Sequence, residues 1–95
     1  MSAQNETAYI GEWVRETMRL LVDAPEAVEV SLVEGTQAVL IEVSVHADDI
    51  RRVVGRQGAT LGSVRSILDK VGGREGRRFI LDVREPSPRQ AESPA

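Results

Sequence analysis

The sequence predicts an α+β domain with the element order αββααβ, in which a three-stranded mixed sheet carries its helices on one face. Apolar residues recur at three- and four-residue spacing in the segments predicted as helices, and they alternate with polar residues in the segments predicted as strands. A short connection makes the first two strands an antiparallel hairpin. Two helices separate the second strand from the third, so these two strands are expected to pair in parallel.

The first predicted helix spans residues 8–22. Its apolar side chains lie along one stripe, and they are Ile10, Trp13, Val14, Met18, Leu21 and Val22. Trp13 is expected to anchor the helix in the core because it belongs to this stripe. Pro25 ends the helix, since the residue before a proline avoids helical backbone angles.

Period-two alternation predicts the three strands. The first spans residues 28–34 and precedes a turn at Gly35, the second spans residues 37–45, and the third spans residues 78–84. The side chains expected to face the core are Val28, Val30, Leu32, Val39, Ile41, Val43, Val45, Phe79, Leu81 and Val83.

A short helix and a longer one connect the second strand to the third. Asp48 or Asp49 is expected to cap the short helix, because a carboxylate at a helix start accepts hydrogen bonds from unpaired backbone N–H groups. The side chains expected to be buried are Ile50, Val53, Val54, Leu61, Val64, Ile67, Leu68 and Val71. Gly72 and Gly73 are expected to end the longer helix.

Length and composition indicate one folded domain. The 95 residues are too few for a second core, so we expect a flexible N-terminus (1–7), the domain (8–84) and a disordered proline-rich tail (85–95). Cysteine is absent, which excludes disulfides, thiolate metal sites and cysteine nucleophiles. Without a signal-peptide pattern or an apolar run of roughly 20 residues, we expect a cytoplasmic protein that does not bind membranes.

The charges are unevenly distributed along the chain. The net charge is −3. Residues 1–45 contribute two Arg and eight acidic residues, a net charge of −6. Residues 46–84 contribute nine basic and five acidic residues, a net charge of +4, and the tail contributes one Arg and two acidic residues, a net charge of −1. A basic second half on an acidic chain indicates one positively charged face, and ordinary solvated helix surfaces are the alternative.

A short loop between the two predicted helices carries the most informative motif, Gly55-Arg56-Gln57-Gly58. Glycines at both ends let a sugar-phosphate backbone approach the loop, and the start of the following helix adds N–H groups and a favourable dipole. Arg56 supplies a positive charge. A Gly-x-x-Gly sequence alone is also compatible with a tight helix–helix turn. The position of this motif after a β-hairpin and between apolar helical segments is what favours a phosphate-binding loop over such a turn.

In this combination the chain resembles the KH domain in its type II topology, and within it the small bacterial single-KH-domain proteins called KhpA-like. The resemblance covers about residues 8–84 through the segments 23–30 (DAPEAVEV), 53–58 (VVGRQG) and 64–68 (VRSIL). It implies a cytoplasmic protein that binds single-stranded RNA without a cofactor, acts as an RNA chaperone in some members, and pairs with itself or with a larger KhpB-like protein. It also implies links to cell shape and division in some bacteria.

The resemblance assigns the candidate RNA-binding residues position by position. Gly55 and Gly58 match the loop glycines, Arg56 and Gln57 match the variable pair between them, and Arg65 matches a basic helix position. Apart from the resemblance, Arg52, Arg77 and Arg78 are expected to line the walls of the shallow apolar groove that holds the bases, with Arg52 and Arg78 as secondary contacts, and a solvated surface position is the alternative for each. Gly62 departs from the family, in which many members carry a basic residue. It either packs closely against a neighbouring backbone or partner chain, or has a functional role.

Other functions have less support. The chain has neither a paired base and nucleophile nor a Walker-type phosphate loop, so no enzyme activity is expected. His46 is the only histidine, and we expect it at a loop end without a metal. One Trp, one Tyr and one Phe cannot build the stacking surface of an RRM or OB-fold binder. The alternative to RNA binding is a KH-fold dimerisation or docking module with a vestigial loop, which the basic Arg56 disfavours.

Overall fold

The computed structural model describes residues 3–86 and has the predicted order of elements. The helices are α1 (Ala3–Leu21), α2 (Ile50–Val54) and α3 (Ala59–Glu75). The strands are β1 (Glu29–Glu34), β2 (Ala38–Ser44) and β3 (Arg78–Arg84). Short 3-10 turns lie at Pro25–Ala27, Ala47–Asp49 and Arg56–Gly58. The α+β class and the order αββααβ are confirmed.

The sheet has the strand order β1-β2-β3, with β1 antiparallel and β3 parallel to β2. Its register aligns Leu32 with Ile41 and Ile41 with Leu81, so all three side chains point to the same face. The hairpin closes through the Gly35 N–H, which donates to the Ala38 carbonyl oxygen at 2.7 Å. The mixed, parallel-crossover topology predicted from the connections is therefore present.

The core lies between one face of the sheet and the helices. β2 is the central strand, and its inward residues Val39, Ile41 and Val43 are completely buried. The buried helix and strand residues that meet them include Val14, Met18, Val53, Leu61, Val64, Leu68, Phe79 and Leu81. The other face of the sheet carries exposed side chains, among them Val33 and Ile80. The helices thus cover one face, as predicted.

The first helix begins at Ala3, five residues before the predicted start, so the segment expected as a flexible N-terminus is helical from that point. Thr7 is buried, and its hydroxyl oxygen accepts a hydrogen bond from Arg77 Nη1 at 3.0 Å. The same guanidinium contacts Glu34 Oε1 through Nη2 at 3.2 Å. Thr7 and Arg77 are 70 residues apart in sequence, so no local pattern predicts the hydrogen bond between them. Residues 87–95 of the predicted tail lie outside the described residues.

Two apolar residues expected in the core are substantially exposed. Trp13 is 39% exposed and Ile67 is 48% exposed. The buried stripe of α1 is centred on Val14 and Met18, which are adjacent on a 3.6-residue helix, and this leaves position 13 at the margin. Val64 and Leu68 centre the stripe of α3 in the same way, and they leave Ile67 at its margin.

The prediction that Gly72 and Gly73 end the third helix is wrong. The helix continues to Glu75 and ends at Gly76, which has a left-handed φ of 68°. Gly72 is required by a close approach, because a Cβ at this position would overlap the carbonyl oxygen of Arg77. The Arg77 N–H donates to the Gly72 carbonyl oxygen at 2.9 Å and turns the chain into β3.

We expect opposite effects when these adjacent glycines are replaced by alanine. Gly72→Ala forces the overlap with the Arg77 backbone and lowers the free energy of unfolding by about 1–3 kcal/mol. Gly73→Ala is the matched control, because no atom lies within 4 Å of the added Cβ, and it raises the free energy of unfolding by up to about 1 kcal/mol. Urea unfolding followed by circular dichroism measures both. Equal effects would contradict the assigned role of Gly72.

Candidate nucleic-acid interface

The loop of residues 55–58 links α2 to α3 through a 3-10 turn with unusual backbone angles. Gly55 has φ 80° and ψ 173°, Gln57 has φ 54° and ψ 27°, and Gly58 has φ 78° and ψ 12°. Within the turn, the Gly58 N–H donates to the Gly55 carbonyl oxygen at 3.1 Å. Gln57 is the one non-glycine residue with positive φ within residues 3–86. Three of the four loop residues therefore have positive φ angles.

The two loop glycines serve different purposes. Gly55 adopts a conformation that is essentially restricted to glycine, and a Cβ there would overlap the side chain of Thr60 and lie 2.8 Å from its backbone nitrogen. Gly58 is left-handed but faces open space, with no atom within 4 Å of the position that a Cβ would occupy. Gly55 is thus required by packing, whereas Gly58 leaves room at the start of α3 for the backbone of a ligand.

The tip of the loop is positively charged. Arg56 and Gln57 are exposed, and among the described side chains no carboxylate lies within ion-pair distance of Arg56. Arg51 is also exposed and likewise has no ion pair with a described residue, and its carbonyl oxygen accepts a hydrogen bond from the Gly55 N–H at 2.8 Å. Arg51 is not among the candidate residues predicted from the sequence, because nothing local distinguishes it from its neighbour Arg52.

Arg52 is occupied by acidic partners within the chain. Its Nη2 lies 2.8 Å from Asp23 Oδ2, and its Nε lies 3.2 Å from Asp49 Oδ1. Asp23 follows the end of α1, so the guanidinium joins α2 to that junction. Arg52 therefore lies beside the loop, where its ion pairs stabilise the position of α2 and balance much of the guanidinium charge.

Asp49 is 2% exposed and accepts hydrogen bonds from the backbone N–H groups of Asp23 and Ala24, each at 3.1 Å. Contrary to the prediction, its side chain makes no capping hydrogen bond to α2. The carboxylate instead links the start of α2 to the residues that follow α1. The N–H of Asp48 donates to His46 Nδ1 at 3.1 Å. The sequence predicts a local cap, whereas the backbone N–H groups that donate to Asp49 lie about 25 residues away.

The environment of Asp49 stabilises its ionised form. The backbone N–H of Asp23 makes the largest contribution, and the Ala24 N–H and the positive charge of Arg52 add to it. Burial acts in the opposite direction, but the pKa of Asp49 remains below its ordinary value of 3.8. A carboxyl with a depressed pKa stabilises the fold above its unfolded pKa, and this stabilisation is lost as the pH falls through the folded pKa.

The remaining candidates lie at different distances from the loop. Arg65 Nη2 donates to the Leu81 carbonyl oxygen at 3.0 Å, which places this guanidinium beside β3. Arg78 is the first residue of β3 and follows the C-terminal end of α3, whereas the loop precedes the N-terminal end of that helix. Its side chain lies on the sheet face turned away from the helices. Gly62 is exposed with no atom within 4 Å of an added Cβ, so close packing against a neighbouring backbone of this chain is excluded.

Among the described residues, no group of three or more His, Cys, Asp or Glu side chains is placed to hold a metal ion. Within residues 3–86, no helix is long and apolar enough to cross a membrane.

The loop glycines can be distinguished by substitution. Gly55→Ala combines a glycine-only conformation with overlap at Thr60, and we expect it to lower the free energy of unfolding by at least about 2 kcal/mol. Gly58→Ala adds only the cost of a left-handed non-glycine residue, about 1 kcal/mol. Chemical denaturation of both variants is the measurement. A larger loss for Gly58→Ala would contradict the packing role of Gly55.

The link through Asp49 predicts a pH-dependent loss of stability. We expect Asp49→Asn to be less stable than the native chain at pH 7, because a neutral amide cannot replace the carboxylate toward two backbone N–H groups and Arg52. The difference narrows as the pH falls below 3.8 and through the lower pKa of the folded state, where the carboxyl of the native chain becomes protonated. Thermal unfolding at several pH values measures this. Asp69→Asn, at an exposed site on α3, is the control and should change the stability little. A stability difference between Asp49→Asn and the native chain that does not depend on pH would refute the role assigned to Asp49.

Comparison with known proteins identifies the family. The family model described as KhpA/KhpB, KH domain, matches residues 11–83. The chain is 34% identical over 74 residues to the RNA-binding protein KhpA of Caldanaerobacter subterraneus, which is 78% of this chain and 99% of that protein. It is 34% identical over 77 residues to the RNA-binding protein KhpA of Mycobacterium tuberculosis, which is 81% of this chain and 96% of that protein. No solved structure gave a significant match.

The residues that the family model matches include the hairpin, the 55–58 loop and α3. The order of elements, the parallel pairing of β2 with β3 and the glycine-bracketed loop agree with the type II KH topology expected from the sequence. On the match to the family model and on these relatives together, the chain belongs to the KhpA/KhpB KH domain family.

Proposed function

We propose that the protein binds single-stranded RNA at the 55–58 loop, as a binding module and not as an enzyme. The observation that carries this proposal is the loop itself, in which two positive-φ glycines bracket an exposed Arg56 that has no described acidic partner. Membership of the KH family supports RNA as the ligand, and the curated relatives carry the name RNA-binding protein KhpA.

The proposed contact is to the sugar-phosphate backbone. The open space at Gly58 allows a phosphate to approach the start of α3, where the positive end of the helix dipole favours an anion. Arg56 adds a charge-assisted hydrogen bond, and Gln57 adds a polar side chain. Because backbone contacts carry little sequence information, the proposed binding is tolerant of sequence and extends over about four nucleotides per domain.

Basic residues beside the loop have graded roles in this proposal. Arg51 joins the proposed site, because it is exposed and makes no ion pair with any of the described side chains. Arg65 uses one donor on the Leu81 carbonyl oxygen and keeps others for a phosphate. Arg52 acts mainly by holding α2 in place. The contact predicted for Arg78 is left out of this proposal, since that residue lies beyond the far end of α3.

A single site for about four nucleotides binds weakly, so the proposal includes association with a second KH chain. That chain is either identical or a larger KhpB-like protein, and joining two sites raises the apparent affinity for an RNA that reaches both. The protein then acts in the cytoplasm on single-stranded segments, as an RNA chaperone or a post-transcriptional regulator.

The test is a fluorescence-anisotropy titration of a labelled single-stranded RNA at several salt concentrations. The double variant Arg56→Asp, Gln57→Asp should lose binding. The matched control, Arg74→Asp with Gln37→Asp, makes the same change in charge at two exposed sites away from the loop and should bind nearly as well. Circular dichroism confirms that each variant is folded.

The salt dependence gives a second measurement. Each phosphate contact to a single strand lowers log K by about 0.7 per unit of log salt, so three contacts predict a slope of roughly 2 for the native chain. Absence of native binding, or binding that persists in the folded Arg56→Asp, Gln57→Asp variant, would overturn the proposal and favour a docking module.

A further inference from the structure

The guanidinium of Arg52 contacts two carboxylates in different surroundings. Its Nε lies 3.2 Å from Oδ1 of Asp49, which is buried and also accepts hydrogen bonds from the backbone N–H groups of Asp23 and Ala24. Its Nη2 lies 2.8 Å from Oδ2 of Asp23, whose side chain is 76% exposed. The first carboxylate is thus a fixed part of the fold, whereas the second meets the guanidinium in solvent.

The contact with Asp49 orients the guanidinium of Arg52. An arginine presents five N–H donors in one rigid plane, so fixing Nε also fixes the direction of the two Nη groups. The side chain of Arg52 is 53% exposed, and its Nη2 is the atom that reaches Asp23 at the surface. The outer edge of this guanidinium is therefore a preformed anion site, with the fork geometry that fits a carboxylate or a phosphate.

Arg52 lies close to the proposed RNA site. It belongs to α2 and precedes Gly55 by three residues, which is about 5 Å along a helix axis. Two exposed arginines near it in sequence, Arg51 and Arg56, make no ion pair with a described side chain. An RNA segment of about four nucleotides that is bound at the loop is long enough to reach one helical turn further. The exposed carboxylate of Asp23 is what sets Arg52 apart from these two arginines.

The ion pair between Asp23 and Arg52 can open while the fold stays intact. Exposed ion pairs contribute little to stability, because water and salt screen the charges and two side chains must be restrained. Asp23 is attached to the fold through its backbone N–H, which donates to Asp49. Its carboxylate can therefore leave the guanidinium by rotation of the side chain alone.

We propose that Asp23 is an intramolecular competitor of RNA: its carboxylate occupies, on Arg52, the position that a backbone phosphate of the RNA would take. The inference rests on the proposed binding of RNA at the 55–58 loop and adds a regulation of that site. In the native chain the other arginines of the site supply the phosphate contacts. Arg52 becomes an additional contact when the charge at position 23 is removed.

This competition lowers the affinity for RNA without changing the shape of the site. A carboxylate and a phosphate cannot use the same donors of Arg52 at once, and their like charges repel. Because Asp49 keeps the guanidinium oriented in both cases, exchanging one anion for the other orders no further part of the chain. The sign of the effect is therefore diagnostic. Loss of a contact that only stabilises the fold lowers RNA affinity, whereas loss of a competitor raises it.

Fluorescence-anisotropy titration of a labelled single-stranded RNA with the variant Asp23→Asn tests the proposal. The variant removes the charge but keeps the backbone N–H that donates to Asp49. We expect the affinity to rise about threefold to fivefold, as befits an exposed ion pair. The slope of log K against log salt should steepen from roughly 2 to roughly 2.8, since each phosphate contact adds about 0.7.

Glu26→Gln is the matched control. Glu26 is exposed, lies three residues after Asp23, and makes no ion pair with a described side chain. Both variants remove one negative charge from the same segment, so a general effect of net charge appears in both. We expect Glu26→Gln to raise the affinity less than about twofold, with an unchanged slope. Equal gains in the two variants, or a native slope in Asp23→Asn, would overturn the proposal.

A double-mutant cycle assigns the gain to Arg52. In the variant Arg52→Gln no guanidinium is left at this position, so adding Asp23→Asn should raise the affinity no more than Glu26→Gln does. A full gain in the absence of Arg52 would refute the assignment. Circular dichroism confirms that each variant is folded, and the salt slope of Asp23→Asn tests the same competition without a change at Arg52.

The outcomes separate this proposal from the proposed function. Absence of RNA binding in both the native chain and Asp23→Asn would overturn both. If the native chain binds RNA through the 55–58 loop and Asp23→Asn behaves like Glu26→Gln, the competition alone is refuted and the loop remains the RNA site.

Discussion

The parallel pairing of β2 with β3 dictates where the helices and the 55–58 loop lie. Parallel neighbours cannot be joined by a tight turn, so the chain must cross from the end of β2 to the start of β3. Here α2, the 55–58 loop and α3 make this crossing on the face that α1 also covers. The crossing reverses direction at the loop, where it exposes Arg56, and it leaves the opposite face of the sheet uncovered. The position of the 55–58 loop follows from this single pairing.

The orientation of the loop depends on contacts that lie outside it. Asp49 holds the backbone N–H groups of Asp23 and Ala24, and Arg52 bridges Asp23 and Asp49, so α2 is attached to the end of α1 on the side before the loop. On the other side, Thr60 packs against Gly55. These contacts also distinguish the arginines by their partners. Arg52 is balanced by carboxylates within the fold, whereas Arg51 and Arg56 make no ion pair with a described side chain, so a chain with a net charge of −3 carries unbalanced positive charge beside the loop.

Local sequence patterns predict the classes of the elements, their order, the mixed sheet and the Gly-x-x-Gly loop, because each depends on a local period or on the length of a connection. Such patterns do not predict where α1 begins, the partners of Asp49, the exposure of Trp13 and Ile67, or the difference between Arg51 and Arg52. These features depend on contacts between residues far apart in the chain, such as Arg77 with Thr7, and they become visible only in the folded structure. Gly72 shows the same limit: local propensity predicts the end of a helix, whereas the close passage of the Arg77 backbone requires a glycine within it.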